Sequence, residues 1–261
     1  MQAQFLLKFG SMKKRSSQFL LFWSLMSVLL ISSCKDEPDP PSPDPSSFEL
    51  QFVANWGNDP LVRDQYFAAP DGRNYMIQVF KCFISNLKLI KPDESRVLVE
   101  DVALLDLYKP SSFLISGEVL TGSYVGIQFS LGLDSIQNHT DPSDYPVEHP
   151  MSSVTSMYWT WFTNYIFAKV EGIADSTSTD TIRPFLYHPG LDSLRQDLEF
   201  RGLNLVIAAE EAEKMTLTID LQQVIFGAND TIDVKIDDFT HTTDDPVLAG
   251  RVMRNLKAAI R

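Results

Sequence analysis

From Val125 to Leu133 every second residue is apolar: Val125, Ile127, Phe129, Leu131 and Leu133 alternate with Gly126, Gln128, Ser130 and Gly132. Successive side chains of an extended chain point to opposite faces, so this period of two marks a strand with one face in a core. The pattern recurs at Phe48, Leu50 and Phe52, at Met215, Leu217, Ile219 and Leu221, and at Ile232, Val234 and Ile236. Strands are also expected over 76–90, 97–107, 165–171 and 203–208, with turn chemistry between them at Pro70-Asp71-Gly72, Thr121-Gly122 and Gly227-Ala228-Asn229-Asp230. One segment has helical spacing. Asp244-Asp245-Pro246 offers an N-cap and a proline for the first turn, and Leu248, Val252, Leu256 and Ile260 follow four apart. The expected fold is all-β, an antiparallel β-sandwich with a C-terminal helix and a long loop region from about 134 to 164. Loops of that length inside a domain usually carry function.

The N-terminus reads differently. Lys13, Lys14 and Arg15 precede an apolar run from Phe19 to Ile31, too short to span a bilayer, and Leu30-Ile31-Ser32-Ser33-Cys34 resembles a lipobox. Residues 1–33 are therefore expected to be a lipoprotein signal peptide, with Met12 an alternative start, and Cys34 the lipidated first residue of the mature chain. Lys35-Asp36-Glu37 resembles the export signal of Bacteroidetes surface lipoproteins. That predicts an outer-membrane protein on the cell surface, with the periplasmic face as the alternative. Residues 34–47 are rich in Pro, Asp and Ser and are expected to form a stalk, leaving 48–261 as the folded domain.

Charge and cysteine content narrow the function. The net charge is −12, and the signal segment holds four of the 22 basic residues and no acidic one, so the mature chain is more acidic still. Nucleic acid is excluded as a natural partner, and the membrane contact is through the lipid. With Cys34 lipidated, Cys82 has no partner for a disulfide. No His-x-x-x-His, Gly-x-Ser-x-Gly, Cys-x-x-Cys, Walker or dinucleotide motif occurs, so binding rather than catalysis is expected.

The most unusual stretch is Met157-Tyr158-Trp159-Thr160-Trp161-Phe162-Thr163-Asn164-Tyr165-Ile166-Phe167. Taken alone, such aromatic loading reads as core. Three exposed aromatics, Trp159, Trp161 and Tyr165, would instead make a sugar-stacking platform on a carbohydrate-binding lipoprotein of a glycan-uptake system. A third reading is a structural module without metal.

The same stretch is similar to the tryptophan signature of the MbnP-like copper-binding family, and further marks occur in that family's order. They are Phe83-Ile84-Ser85-Asn86-Leu87, the run from Gly122 to Asp134 with Asn138 after it, Pro150 ahead of the tryptophans, Tyr187-His188-Pro189-Gly190, and His241 before the last helix. The resemblance implies an extracytoplasmic, β-rich copper binder. In such proteins a di-haem peroxidase partner converts a Trp into kynurenine, whose aryl amine joins His ligands on the metal. It implies Trp159 as the first candidate for that conversion and Trp161 as the second, with His188 and His241 as ligands and His149 as a fallback. Imidazole suits copper, and the new amine supplies a lone pair that indole lacks. His139 lies in a polar loop and is expected to be solvated. Asp134 with Asn138 falls short of the six to eight oxygens that Ca²⁺ takes. The chain also departs from the family pattern, because no His adjoins the Trp pair and Leu191, not a second Gly, follows Gly190.

Overall fold

The structure is a computed structural model that describes residues 44–162, 164–175 and 182–261. Cys34 and residues 1–33, where a signal peptide is expected, lie outside the described residues. The strands, in chain order, are β1 (Pro45–Trp56), β2 (Asp59–Pro60), β3 (Tyr66–Ala68), β4 (Asn74–Ile90), β5 (Arg96–Asp106), β6 (Leu114–Leu120) and β7 (Gly122–Leu131). After them come β8 (Tyr158–Trp159), β9 (Asn164–Tyr165), β10 (Ala168–Asp175), β11 (Arg183–Tyr187), β12 (Gln196–Ile207), β13 (Ala212–Asp220) and β14 (Phe239–Thr240). Three α-helices lie among the described residues: α1 (Ser135–Asn138), α2 (Leu221–Ile225) and α3 (Pro246–Ala258).

The chain is mostly β, with its apolar faces turned into one core. β1 sits between β13 and β6 in the smaller sheet. The larger runs β12-β7-β4-β10-β11-β14, with β3 and β5 also on β4. Phe48, Leu50 and Phe52 of β1 and Ile127, Phe129 and Leu131 of β7 are all buried, and the rings of Phe52 and Phe129 meet edge to face at 5.8 Å. The alternation therefore buries one face of each sheet against the other, each aromatic pair adding about 0.5–1.5 kcal/mol beyond its area.

β4 spans both halves of the larger sheet. On one edge its first part, from Asn74 to Cys82, pairs with β10 and its second, from Ile84 to Ile90, with β7, while β5 pairs with it from Lys81 to Ile90. Where the partners change over, Phe83 donates its N–H to the Phe167 carbonyl and accepts the Gly132 N–H.

Three expectations need correction. Pro45, Ser46 and Ser47 belong to β1 and pair with Leu120, Val119 and Glu118, so the stalk cannot extend to residue 47. The alternation at 232–236 is not a strand. Ile232 and Val234 are buried but Ile236 is exposed, and the segment forms turns stabilised by the Asp237 N–H bonded to the Asp233 carbonyl. Two of the pairings are parallel, β1 with β13 and β11 with β14, although the rest of the ladders are antiparallel. The terminal helix forms as expected: Asp245 accepts the Leu248 N–H, Pro246 opens the first turn, and Leu248, Val252, Leu256 and Ile260 are buried. β6 and β11 were not expected as strands. Both are short, and each buries only two residues, Ile115 and Val119 in β6 and Phe185 and Tyr187 in β11.

Candidate metal centre

β11 and β14 run parallel with Tyr187 opposite Thr240, so the next residues, His188 and His241, leave the sheet side by side. The His188 N–H donates to the Thr240 carbonyl at 2.9 Å and holds this register one residue beyond the strand. The imidazole rings lie 5.0 Å apart, tilted 37°. Two imidazoles bound cis to one metal through bonds of about 2.0 Å have ring centres roughly 4.5–5.2 Å apart, a range that includes the spacing of this pair.

Thr242 locks the far side. Its backbone lies at φ 67°, a left-handed conformation rare for a β-branched residue. Its hydroxyl donates to the His188 carbonyl at 3.0 Å and accepts the Gly190 N–H at 2.8 Å. The Thr240 hydroxyl accepts the Thr242 N–H and donates to the Asp245 carbonyl. These buried bonds offset the backbone strain and pin the chain on both sides of His241.

The tryptophans arrive on a second element. β8 and β9 form a small hairpin with Tyr158 opposite Tyr165 and Trp159 opposite Asn164. It is bound to the His188 segment because the Pro189 carbonyl accepts the Phe167 N–H at 2.7 Å. Gly190 lets the two segments touch: a Cβ there would lie 2.2 Å from the Tyr165 carbonyl oxygen and 2.9 Å from Trp159 Cζ3. Trp159 is thus packed over the His-Pro-Gly turn at 5% exposure, while Trp161 is 60% exposed. Both indoles flank His241, with ring centres 6.4 and 6.3 Å from it, and lie 5.6 Å from each other. Phe239 meets His241 edge to face at 4.5 Å. Across the hairpin from Trp159, Asn164 Oδ1 is buried without a hydrogen-bond partner among the described residues.

His188 is 6% exposed, and its Nε2 lies 2.7 Å from Glu171 Oε1 of β10. Burial pushes the imidazole below its ordinary range, with the Glu171 hydrogen bond pulling the other way. The hydrogen bond to His188 holds the Glu171 carboxyl below the usual range despite its partial burial. A charged His188 would suit Glu171, but desolvation is the larger effect, so at neutral pH the pair is a neutral imidazole beside a carboxylate. Both folded-state pKa values are depressed, so both groups favour the fold above their unfolded values and lose that contribution as pH falls. The loss begins below about 6.5 for His188 and below about 4.3 for Glu171. His149, also depressed by burial, acts in the same direction in the first window. The urea midpoint is therefore expected to fall between pH 7 and pH 5, and His188→Gln should flatten part of that fall.

The other candidates lie elsewhere. His149 stacks on Tyr145 at 4.3 Å and accepts the Met151 N–H on Nδ1, in a groove shared with Lys81, Glu100 and Thr155. Its role as a fallback ligand is not supported, because its ring meets neither His188 nor His241. His139 is exposed and bonds the Ser135 carbonyl. Asp134 caps α1, and the fully buried Asn138 accepts the Tyr165 N–H and donates to Asp192, which leaves both committed within the protein. Burial also takes Trp159 and Tyr165 out of reach of a sugar, so the stacking platform keeps only Trp161. Sequence reasoning gave no role to Glu171, Thr240, Thr242 or Phe239. A charged Glu171 in a strand whose other face is wholly buried was the one available signal.

Among the described residues no group of three or more His, Cys, Asp or Glu could hold a metal. Two imidazoles with aromatic neighbours are a set that needs a further donor of another kind. No curated protein matches the chain. MbnP from Methylosinus trichosporium has a similar fold, with a TM-score of 0.52 at 14% identity over 72% of this chain and 80% of that one. The MbnP family model matches residues 45–244, from the first strand to the turn after His241, and by that match the chain belongs to the MbnP family.

Proposed function

We propose that this protein is an extracytoplasmic copper-binding lipoprotein, tethered through Cys34 at the outer membrane, with His188 and His241 as the protein's imidazole ligands. The observation that carries the reading is the 5.0 Å pairing of those two rings beside Trp159 and Trp161. Neutral imidazole is a good ligand for copper, and burial keeps His188 neutral. A missing donor fits a Trp-derived kynurenine made by a partner di-haem peroxidase. Trp159 is the preferred residue, because Gly190 and the hairpin hold its ring in place before any metal arrives. Bound copper would supply affinity and a redox-active centre. The chain's own residues position the ligands and keep water from the buried side, and no catalysis by this chain is proposed.

The test is copper content after production with the peroxidase. About one copper per chain is expected, together with a kynurenine mass change in the peptide holding Trp159 and Trp161. His188→Ala and His241→Ala should each lose the metal, whereas His149→Ala should keep it. An unmodified peptide with no copper after reconstitution rejects the reading.

A further inference from the structure

We infer that Glu171 is the positioning residue of this centre: it accepts the Nε2 proton of His188 and so presents His188 Nδ1 as the nitrogen that ligates. The purpose of the arrangement rests on the copper reading, but the arrangement itself can be measured without metal. A carboxylate offers acceptors only, so an imidazole whose Nε2 lies 2.7 Å from Glu171 Oε1 must carry a proton on that nitrogen. Nδ1 then keeps its lone pair, and among the described residues no hydrogen bond occupies it.

The strand explains why Glu171 is held there. Val170 and Gly172, on either side of it in β10, are buried, and Glu171 is opposite Leu186 of β11, two residues before His188. Gly172 has no room for a side chain, since a Cβ there would lie 2.2 Å from the Met76 carbonyl oxygen and 2.6 Å from Phe185 Cζ, so β10 lies close against both neighbours beside Glu171. Lys169 lies on the same face two residues earlier and favours the ionised carboxylate. The buried backbone bond from His188 N–H to Thr240 fixes the base of the ring, and Glu171 fixes its rotation. Carboxylates that hold a ligating imidazole in this way raise its basicity and set its orientation, and losing them costs about 10–100-fold in metal affinity.

The experiment is nitrogen–proton correlation spectroscopy of the metal-free full domain with labelled histidine at pH 7.5. His188 is expected as a single tautomer with the proton on Nε2. In Glu171→Gln, whose amide offers either a carbonyl or an NH₂ group, the two tautomers should mix. Copper affinity should fall about 10–100-fold in that variant. A proton on Nδ1 in the wild type overturns the inference, and no variant has to fold for that result to be read. An unchanged tautomer in a folded Glu171→Gln also overturns it. A wild type that shows the expected tautomer but takes no copper rejects the copper reading and leaves the Glu171 assignment standing.

Discussion

Gly190→Ala is expected to destabilise the domain by about 3 kcal/mol, the upper part of the usual range for forcing atoms into a packed interior. For a domain of this size that is a Tm lower by roughly 6–12 °C. Gly190 is not among the residues at positive φ, so space is the issue and not backbone conformation. The added carbon would sit 2.2 Å from a backbone oxygen, with Trp159 Cζ3 and Ile166 Cα within 3.0 Å. None of these neighbours can yield alone. Tyr165 is bonded through its N–H to Asn138, Ile166 through its N–H to the Met157 carbonyl, and Phe167 to Pro189. The hairpin would have to lift off the His-Pro-Gly turn, carrying Trp159 away from His241. A differential scanning measurement reads the loss, and a Tm within 2 °C of wild type would show that the two segments part freely.

Asn138→Ala is expected to cost a similar amount, about 3 kcal/mol, because it strands a buried donor and removes a buried volume together. Asn138 is 0% exposed, accepts the Tyr165 N–H at 2.9 Å and donates to Asp192 Oδ1 at 2.8 Å. Asn138→Asp separates the two roles. It keeps an acceptor for Tyr165 but sets a second carboxylate against Asp192, so its loss should be as large at pH 7 and shrink as the pH is lowered toward 4. Urea unfolding at the two pH values checks this. Equal losses at both would mean that the contact with Asp192 contributes nothing.

The parts of the fold governed by local chemistry were legible. The alternation at 125–133 became β7, the run at 76–90 became the centre of β4, and Asp245-Pro246 opened α3 where the capping chemistry placed it. The alternation at 232–236 misled because it resembles a strand while its backbone forms turns with a single bond outward, from Ile232 N–H to the Ile225 carbonyl; two apolar residues plug the core between turns. The parallel pairings were not legible, since the alternation of a strand says which face is buried but not which neighbour it meets or in which direction. The candidate site followed the same division. His188, His241 and both tryptophans stood out through the resemblance to the MbnP-like family, and the fold brings these four side chains together. Glu171, Thr240 and Thr242 could not, because their roles depend on the parallel register that aligns residues 187 and 240.

That register has a kinetic consequence. His188 continues a five-residue strand and is rooted among buried side chains, whereas His241 follows a strand of two residues on the outer edge of its sheet. A strand end secured by so few ladder bonds can open at a small fraction of the free energy of global unfolding. The His241 side is therefore expected to open more often than the His188 side, each opening breaking the Thr240 and Thr242 bonds that pin it.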